Sequence, residues 1–218
     1  MSWSGHGRGK GHKSYHHGNL KEALIRAALD LIAEKGLRGF TFADAARSAG
    51  VSPAAPYRHF RDRDELMADV ALRGFERFAD ALAAAWKDGA PDPLAALDNV
   101  GRAYLAFARS EPAYYSAMFE SGIAPDVRPD LAAAADRAYA VQRGACEALV
   151  ATLPARGRPP AMMMALHIWS LTHGIATLFG RGDAARRKLP MTPDELLEAG
   201  VLVYLQGLGL AGGPPGRG

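Results

Sequence analysis

The stretch TFADAARSAGVSPAAPYRHF, residues 41–60, reads as two short helices joined by a tight glycine turn. Thr41 is placed to cap the first helix with Asp44 three residues on, and Phe42, Ala45, Ala46 and Ala49 put small or apolar groups inward at helical spacing. Gly50 supplies the left-handed residue that ends this helix, and Val51 plugs the corner. Ser52 is the expected cap of the second helix, with Pro53 at its first position, where a missing N–H costs nothing. A helix-turn-helix of this kind lays its second helix in a DNA major groove.

The second helix carries the chemistry. Tyr57, Arg58 and His59 are consecutive polar-tipped side chains with Arg61 and Arg63 close behind, on an expected one and a half to two turns, and Phe60 faces back as an anchor. Pro56 is the fourth helical residue and forfeits only the bond to the Ser52 carbonyl, so the helix is expected to survive it. Pro53, Ala54 and Ala55 have no long side chain; they touch thymine methyls and let the backbone approach closely. The expected division of labour puts Arg58, His59 and Ala55 against bases, while Thr41, Ser52, Tyr57, Arg63, Lys10 and Lys13 position phosphates. The plainer reading makes the stretch a helical hairpin whose Tyr57 and Phe60 are only core, and the charge pattern around it argues against that.

Charge is distributed unevenly. Residues 1–63 carry 11 Lys plus Arg against 5 Asp plus Glu, and the rest of the 218-residue chain carries 15 against 18, so the net charge of +3 gathers at the helix-turn-helix end. Such a footprint suits phosphate binding, since neutralised phosphates release counterions. Residues 1–18 hold Arg8, Lys10, Lys13 and four histidines among glycines, too little apolar content to fold alone, and read as a basic arm able to follow a minor groove. A metal reading of those histidines has no Cys or carboxylate to support it and no fixed geometry.

The remaining signals are helical throughout. Asn19 with Glu22 is the expected capping box of a helix over 20–35, striped by Leu24, Ala27, Ala28, Leu31 and Ile32 and ended by Gly36. Asp62 and Glu65 cap a helix from Arg63 to about Trp86, longer than a DNA-binding unit needs, whose Phe75, Phe78 and Leu82 must bury elsewhere. Asp92 and Pro93 open the next helix, to about Arg109; a short one follows Pro112, then helices over about 131–153 and 161–181, and Thr192, Pro193 and Glu195 open the last. No strand signal and no fixed-period repeat occurs. The fold expected is all-α, about nine helices, divided as a basic arm (1–18), a three-helix helix-turn-helix domain (19–63), a helical ligand-binding and dimerisation domain (64–210) and a tail without core capacity (211–218).

Within the second domain the apolar residues are large and soft. Tyr104, Phe107, Tyr115, Met118, Phe119 and Trp169, with His173 four residues beyond Trp169 on the same helix face, suit an adaptable apolar pocket with a few polar tips. The alternative for each is plain core, and for His173 a hydrogen-bonded core histidine. Gly174 is expected to let a neighbouring helix approach. No nucleophile, carboxylate pair or metal-ligand spacing accompanies these residues, so neither an enzyme, a metal nor a cofactor is expected. The single cysteine, Cys146, excludes an intrachain disulfide and fits a reducing cytoplasm. No signal peptide is evident, and residues 161–180, although nearly as long as a membrane span, are interrupted by His167, Ser170, Thr172, His173 and Gly174; they read as a buried helix.

Thr41, Ala46, Ala49-Gly50-Val51-Ser52, Tyr57, His59-Phe60 and the segment Asp62 to Leu66 together resemble the TetR family of bacterial one-component repressors. Trp169, His173 and Gly174 in IWSLTHGIATLFG, with SYHHGNLKEALI near the N-terminus, are similar to its WHG-type ligand-binding subclass. The position of Pro56, often Leu or Ile in that family, is a departure. The resemblance implies a cytoplasmic homodimer on a pseudo-palindromic double-stranded DNA operator, released when an unidentified small molecule tilts the long helix after the reader. It also implies that the last two helices form the two-fold interface, which fits a final helix apolar over more than one face. Two other readings are kept: a helical small-molecule binding protein or enzyme with a vestigial DNA-binding domain, and a nucleoid-type protein that binds DNA without sequence preference.

Overall fold

The computed structural model describes residues 20–155, 158–180 and 189–209. Lys10 and Lys13, the N-terminal histidines, Asn19, Leu210 and the final tail lie outside these residues. Eight α-helices and no strand occur among them: α1 (Leu20–Lys35), α2 (Phe42–Ser48), α3 (Arg63–Trp86), α4 (Pro93–Ser110), α5 (Pro112–Phe119), α6 (Pro129–Ala151), α7 (Ala161–Gly180) and α8 (Pro193–Gly207).

Local chemistry places most of the boundaries. The Thr41 side chain accepts from the Asp44 N–H at 3.2 Å while the Asp44 carboxylate takes the Thr41 N–H at 2.8 Å, a complete capping box. Gly50 follows with φ +73°, the left-handed geometry the corner requires. Asp62 accepts from the Glu65 N–H at 2.9 Å, and Asp92 accepts from both Leu94 and Ala95 at 3.0 Å. Thr192 and Glu195 close a second capping box.

The second helix of the motif departs from expectation. It is a single 3-10 turn, Ala55–Arg58, and Ser52 does not cap it: the residue before the turn is Ala54, without a side-chain cap bond. Pro56 accounts for this: without an N–H it cannot give the first α-type bond to the Ser52 carbonyl, which takes the Ala55 N–H at 3.0 Å instead. The Pro56 carbonyl then takes the N–H groups of His59 and Phe60, at 2.9 and 3.0 Å.

Leu24, Ala28, Leu31, Phe40, Ala45 and Phe60 form a small core under this turn, and Leu66, Met67 and Val70 of α3 complete it. The same helix continues into the larger half, where Phe75, Phe78 and Leu82 are buried against α4, α5 and α6. A second cluster, with Leu97, Cys146, Met164, Ile168 and Leu205, joins α4, α6, α7 and α8. Close helix approach falls at Gly101 and Gly200, where an added Cβ would meet Leu197 and Leu171 at 2.8 Å. Gly174 does not play that part: nothing lies within 4 Å of a Cβ there, because it faces outward with Leu166, Ser170 and Leu178.

Candidate functional site

The reading face is built on the 3-10 turn. Ser52, Pro53, Tyr57, Arg58 and His59 are exposed and Ala55 is half-buried, while Pro56 and Phe60 point inward and hold the turn on α1 and α2. Tyr57 stands 63 % exposed, its ring set edge-on to Phe42 at 5.1 Å between centroids, so packing fixes the ring and leaves the hydroxyl to reach out. Thr41 is exposed beside it, with its hydroxyl engaged in the α2 cap. Arg61 adds a charge at the edge, its guanidinium paired with the neighbouring Asp62 at 3.2 Å.

Arg63 is placed differently from the other candidates. Its guanidinium lies over the Phe40 ring at 4.6 Å and donates to the Leu37 carbonyl, which ties the start of α3 to the segment after α1. Arg61, absent from the expected phosphate set, has the more exposed charge.

The larger half encloses a cavity of about 680 Å³. Phe75, Phe78 and Leu82 of α3 form one wall, Tyr104 of α4 with Met118 and Phe119 of α5 a second, and Ala132, Ala135, Ala138, Tyr139 and Gln142 of α6 a third; Trp169 of α7 and residues 122–126 complete it. The alanines make the space, since α3 and α6 run against one another and larger side chains on α6 would fill it. Of the seven residues expected here, Tyr104, Met118, Phe119 and Trp169 line the cavity. Phe107, Tyr115 and His173 do not; they form the layer behind, Phe107 packed on Phe78 at 5.0 Å.

That layer is hydrogen-bonded. His173 Nδ1 lies 2.8 Å from the Tyr104 hydroxyl and 2.9 Å from that of Tyr115, and the Trp169 side chain bonds to the Tyr104 oxygen. Indole N–H only donates, so Tyr104 accepts there and passes its own proton on toward His173 or Tyr115. Burial and the neighbouring Tyr115 hold the Tyr104 hydroxyl well above the usual tyrosine range. Burial likewise pushes the His173 imidazole below its ordinary value, with Glu120 opposing, which favours the neutral ring that can accept. His173 thus holds the wall tyrosine Tyr104 and, behind it, Tyr115, and Trp169 and His173 both bond to the Tyr104 hydroxyl.

Two features of the cavity were missed in the sequence. Gln142 sits in the inward stripe of α6, spaced as Leu131, Ala134, Ala138, Gln142, Ala145 and Leu149, and an amide at an inward position was the available signal. It is 4 % exposed, and its Nε2 is sealed from solvent and from the cavity. Asp126 and Asp136 are the second; both are exposed at the cavity edge. Cys146, one turn beyond Gln142, is buried with its thiol pushed up to about 12 by desolvation, against a smaller opposing effect of the Gln142 amide. The Gln142 amide donates to that sulfur, a weak acceptor.

Comparison with known proteins adds to this geometry. Residues 24–70 match the family model for bacterial regulatory proteins of the tetR family, and residues 97–204 match that for a tetracyclin repressor-like C-terminal domain. Over 100 residues the chain is 26 % identical to an uncharacterised HTH-type transcriptional regulator, YobS, of Bacillus subtilis (strain 168); the match spans 46 % of this chain and 51 % of that one, about half its length. A solved Rhodococcus sp. RHA1 protein of unknown function superposes with a TM-score of 0.72 at 29 % identity, covering 89 % of this chain and 98 % of its own. PfmR, a TetR family transcriptional regulator from Thermus thermophilus, shares the fold at TM-score 0.63 and 21 % identity, over 85 % of this chain and 96 % of its own.

Proposed function

Because the chain belongs to the TetR family of DNA-binding transcriptional regulators, we propose that it is a cytoplasmic homodimeric repressor, released from a pseudo-palindromic operator when a small apolar or amphipathic molecule enters the 680 Å³ cavity. One observation carries the reading: α3 is at once the floor of the DNA-reading unit, through Leu66, Met67 and Val70, and a wall of the cavity, through Phe75, Phe78 and Leu82. A ligand pressing on the far part of α3 acts on the near part, because a helix transmits rotation as a rigid body and packed cores are bistable.

Arg58, His59 and Ala55 face bases in this reading, with Pro53 admitting the backbone closely; Thr41, Ser52, Tyr57 and Arg61 serve phosphates, joined by Lys10 and Lys13 of the arm. Arg63 serves the packing. The dimer rests on an apolar face that no described residue covers. On α7, Met163, Leu166 and Leu178 are 39 %, 44 % and 36 % exposed, and on α8 Leu202 and Val203 are 47 % and 67 % exposed, although both helices bury their other faces. By length and composition α7 could cross a membrane. Its packing on α4, α6 and α8 in the fold favours a protein interface instead.

The test is selection of genomic fragments by the purified protein at near-physiological salt, followed by motif search. Enrichment of one two-fold symmetric site, bound at least about a thousandfold tighter than scrambled duplex, is expected. Fragments without a shared motif, weakening alike as salt rises, would overturn the reading in favour of a nucleoid-type binder.

A further inference from the structure

One stretch of chain separates the large cavity from the reading unit. Residues 122–126 line the large cavity between α5 and α6. On the other side Ser121 and Ile123 face Arg38, Arg63 and Met67 of the reading unit across a second, polar cavity of about 270 Å³. Ile123 stands in both walls. A side chain or molecule that fills the large cavity therefore meets a partition with open space behind it, where a close-packed core would resist.

Just beyond the partition the chain is gripped. A 3-10 turn, Pro125–Val127, is closed by the Val127 N–H on the Ala124 carbonyl at 3.2 Å, and Arg128 follows, its carbonyl taking the Ala132 N–H at 3.0 Å at the start of α6. The Arg128 guanidinium donates to Asp69 Oδ1 of α3 at 2.5 Å, with Asp130 on its other edge. Asp69 is 4 % exposed, and its second oxygen pairs with Lys21 of α1. The Lys21 ammonium lies 5.6 Å from the centre of the Phe60 ring, the inward anchor of the reading turn. One buried carboxylate thus joins the partition to that anchor, and its burial is strongly disfavoured when a cation is withdrawn.

We propose that Arg128 is a positioning residue for DNA reading, which carries occupancy of the large cavity to the reading turn through Asp69, Lys21 and Phe60. Filling the cavity moves the partition toward the polar space and draws Arg128 from Asp69. Lys21 is then the one cation left on a buried carboxylate, and it shifts on the Phe60 ring. The assignment rests on the cavity being the effector site, and the experiment distinguishes the two.

Operator affinity is measured by fluorescence anisotropy, on the site that fragment selection recovers, for the full-length protein and for Arg128→Gln, each with and without Ala135→Phe, which fills the cavity. The ratio within each background is the readout, so any change in basal affinity cancels. Ala135→Phe is expected to weaken binding about tenfold in the wild type and by less than about twofold in Arg128→Gln. Arg128→Lys, which keeps a cation on Asp69, restores most of the ratio. Arg73→Gln, which breaks the other ion pair between α1 and α3 and is no part of the partition, leaves the ratio intact. N-phenyl-1-naphthylamine, a neutral apolar dye, serves as a reversible occupant in place of Ala135→Phe and is expected to give the same pattern. Equal ratios in the wild type and in Arg128→Gln would overturn the assignment and leave the effector site standing. No effect of Ala135→Phe or of the dye in the wild type would overturn both.

Discussion

His173 stands behind the cavity wall and shapes it through hydrogen bonds. Its Nδ1 bonds to the Tyr104 and Tyr115 hydroxyls, and burial depresses its pKa below the ordinary 6.5. In the unfolded chain the imidazole takes a proton at about pH 6.5, while in the folded chain it resists until lower pH. The unfolded state therefore binds more protons in that window, and stability falls as pH drops from about 6.5 through the folded value, while it is constant above. The expected result is that thermal melts of wild type and His173→Gln differ most above pH 7 and converge toward pH 5; parallel curves would show that the ring is not held neutral. Residue-scale features of this sort were only partly legible in the sequence. The spacing of Trp169 and His173 placed both on one face, but which lines the cavity and which stands behind depends on where Tyr104 and Tyr115 arrive from α4 and α5. Gln142 was visible as a polar residue in an apolar stripe, yet the sealing of its amide nitrogen beside Cys146 is a property of the packed structure.

At the scale of elements, α3 is the central piece. Its 24 residues span about 36 Å, and charged side chains lock it to both neighbours. Asp69, 4 % exposed, pairs with Lys21 of α1 and with Arg128 just before α6, and Arg73 pairs with Glu22 of α1. Residues 122–126 of the cavity edge lead directly into Arg128. Replacing Asp69 with Asn leaves a partly buried guanidinium with one carboxylate fewer, for an expected loss of about 2–3 kcal/mol in chemical denaturation. An unchanged midpoint would mean the network is not structural. Helix ends were legible because their signals are local: Thr41 with Asp44, Asp62, Asp92 with Pro93, and Thr192 with Glu195 each bond within four residues. The reading turn was not, because the loss of the one α-type donor at Pro56 tips so short a segment into 3-10 geometry, although a longer helix would absorb it.

For the whole molecule, one core runs from α1 through α3 to α8, so the reading unit and the cavity are not mechanically separate. What the described residues leave uncovered is the apolar face of α7 and α8, foreshadowed by a last helix with more leucines than one face can bury. Substituting Leu202 and Val203 with Glu puts charges on that face without disturbing Leu197 or Leu205, which are buried on the other side. The pair is expected to sediment as monomer and to lose operator affinity at least about a hundredfold, since a lone reader holds one half-site. In the proposed dimer two reading turns are held about one DNA turn apart, at a spacing the cavity controls. Cys146 is the only cysteine and is buried, so a Cys146→Ala, Asp64→Cys protein takes one spin label per chain at the exposed start of α3. Pulsed dipolar distance measurement on the operator complex is expected to give a single narrow distribution near about 34 Å or somewhat more, which shifts when Ala135→Phe fills the cavity. Absence of a dipolar signal, or a distance unchanged by Ala135→Phe, would contradict the coupling of cavity to reading turns.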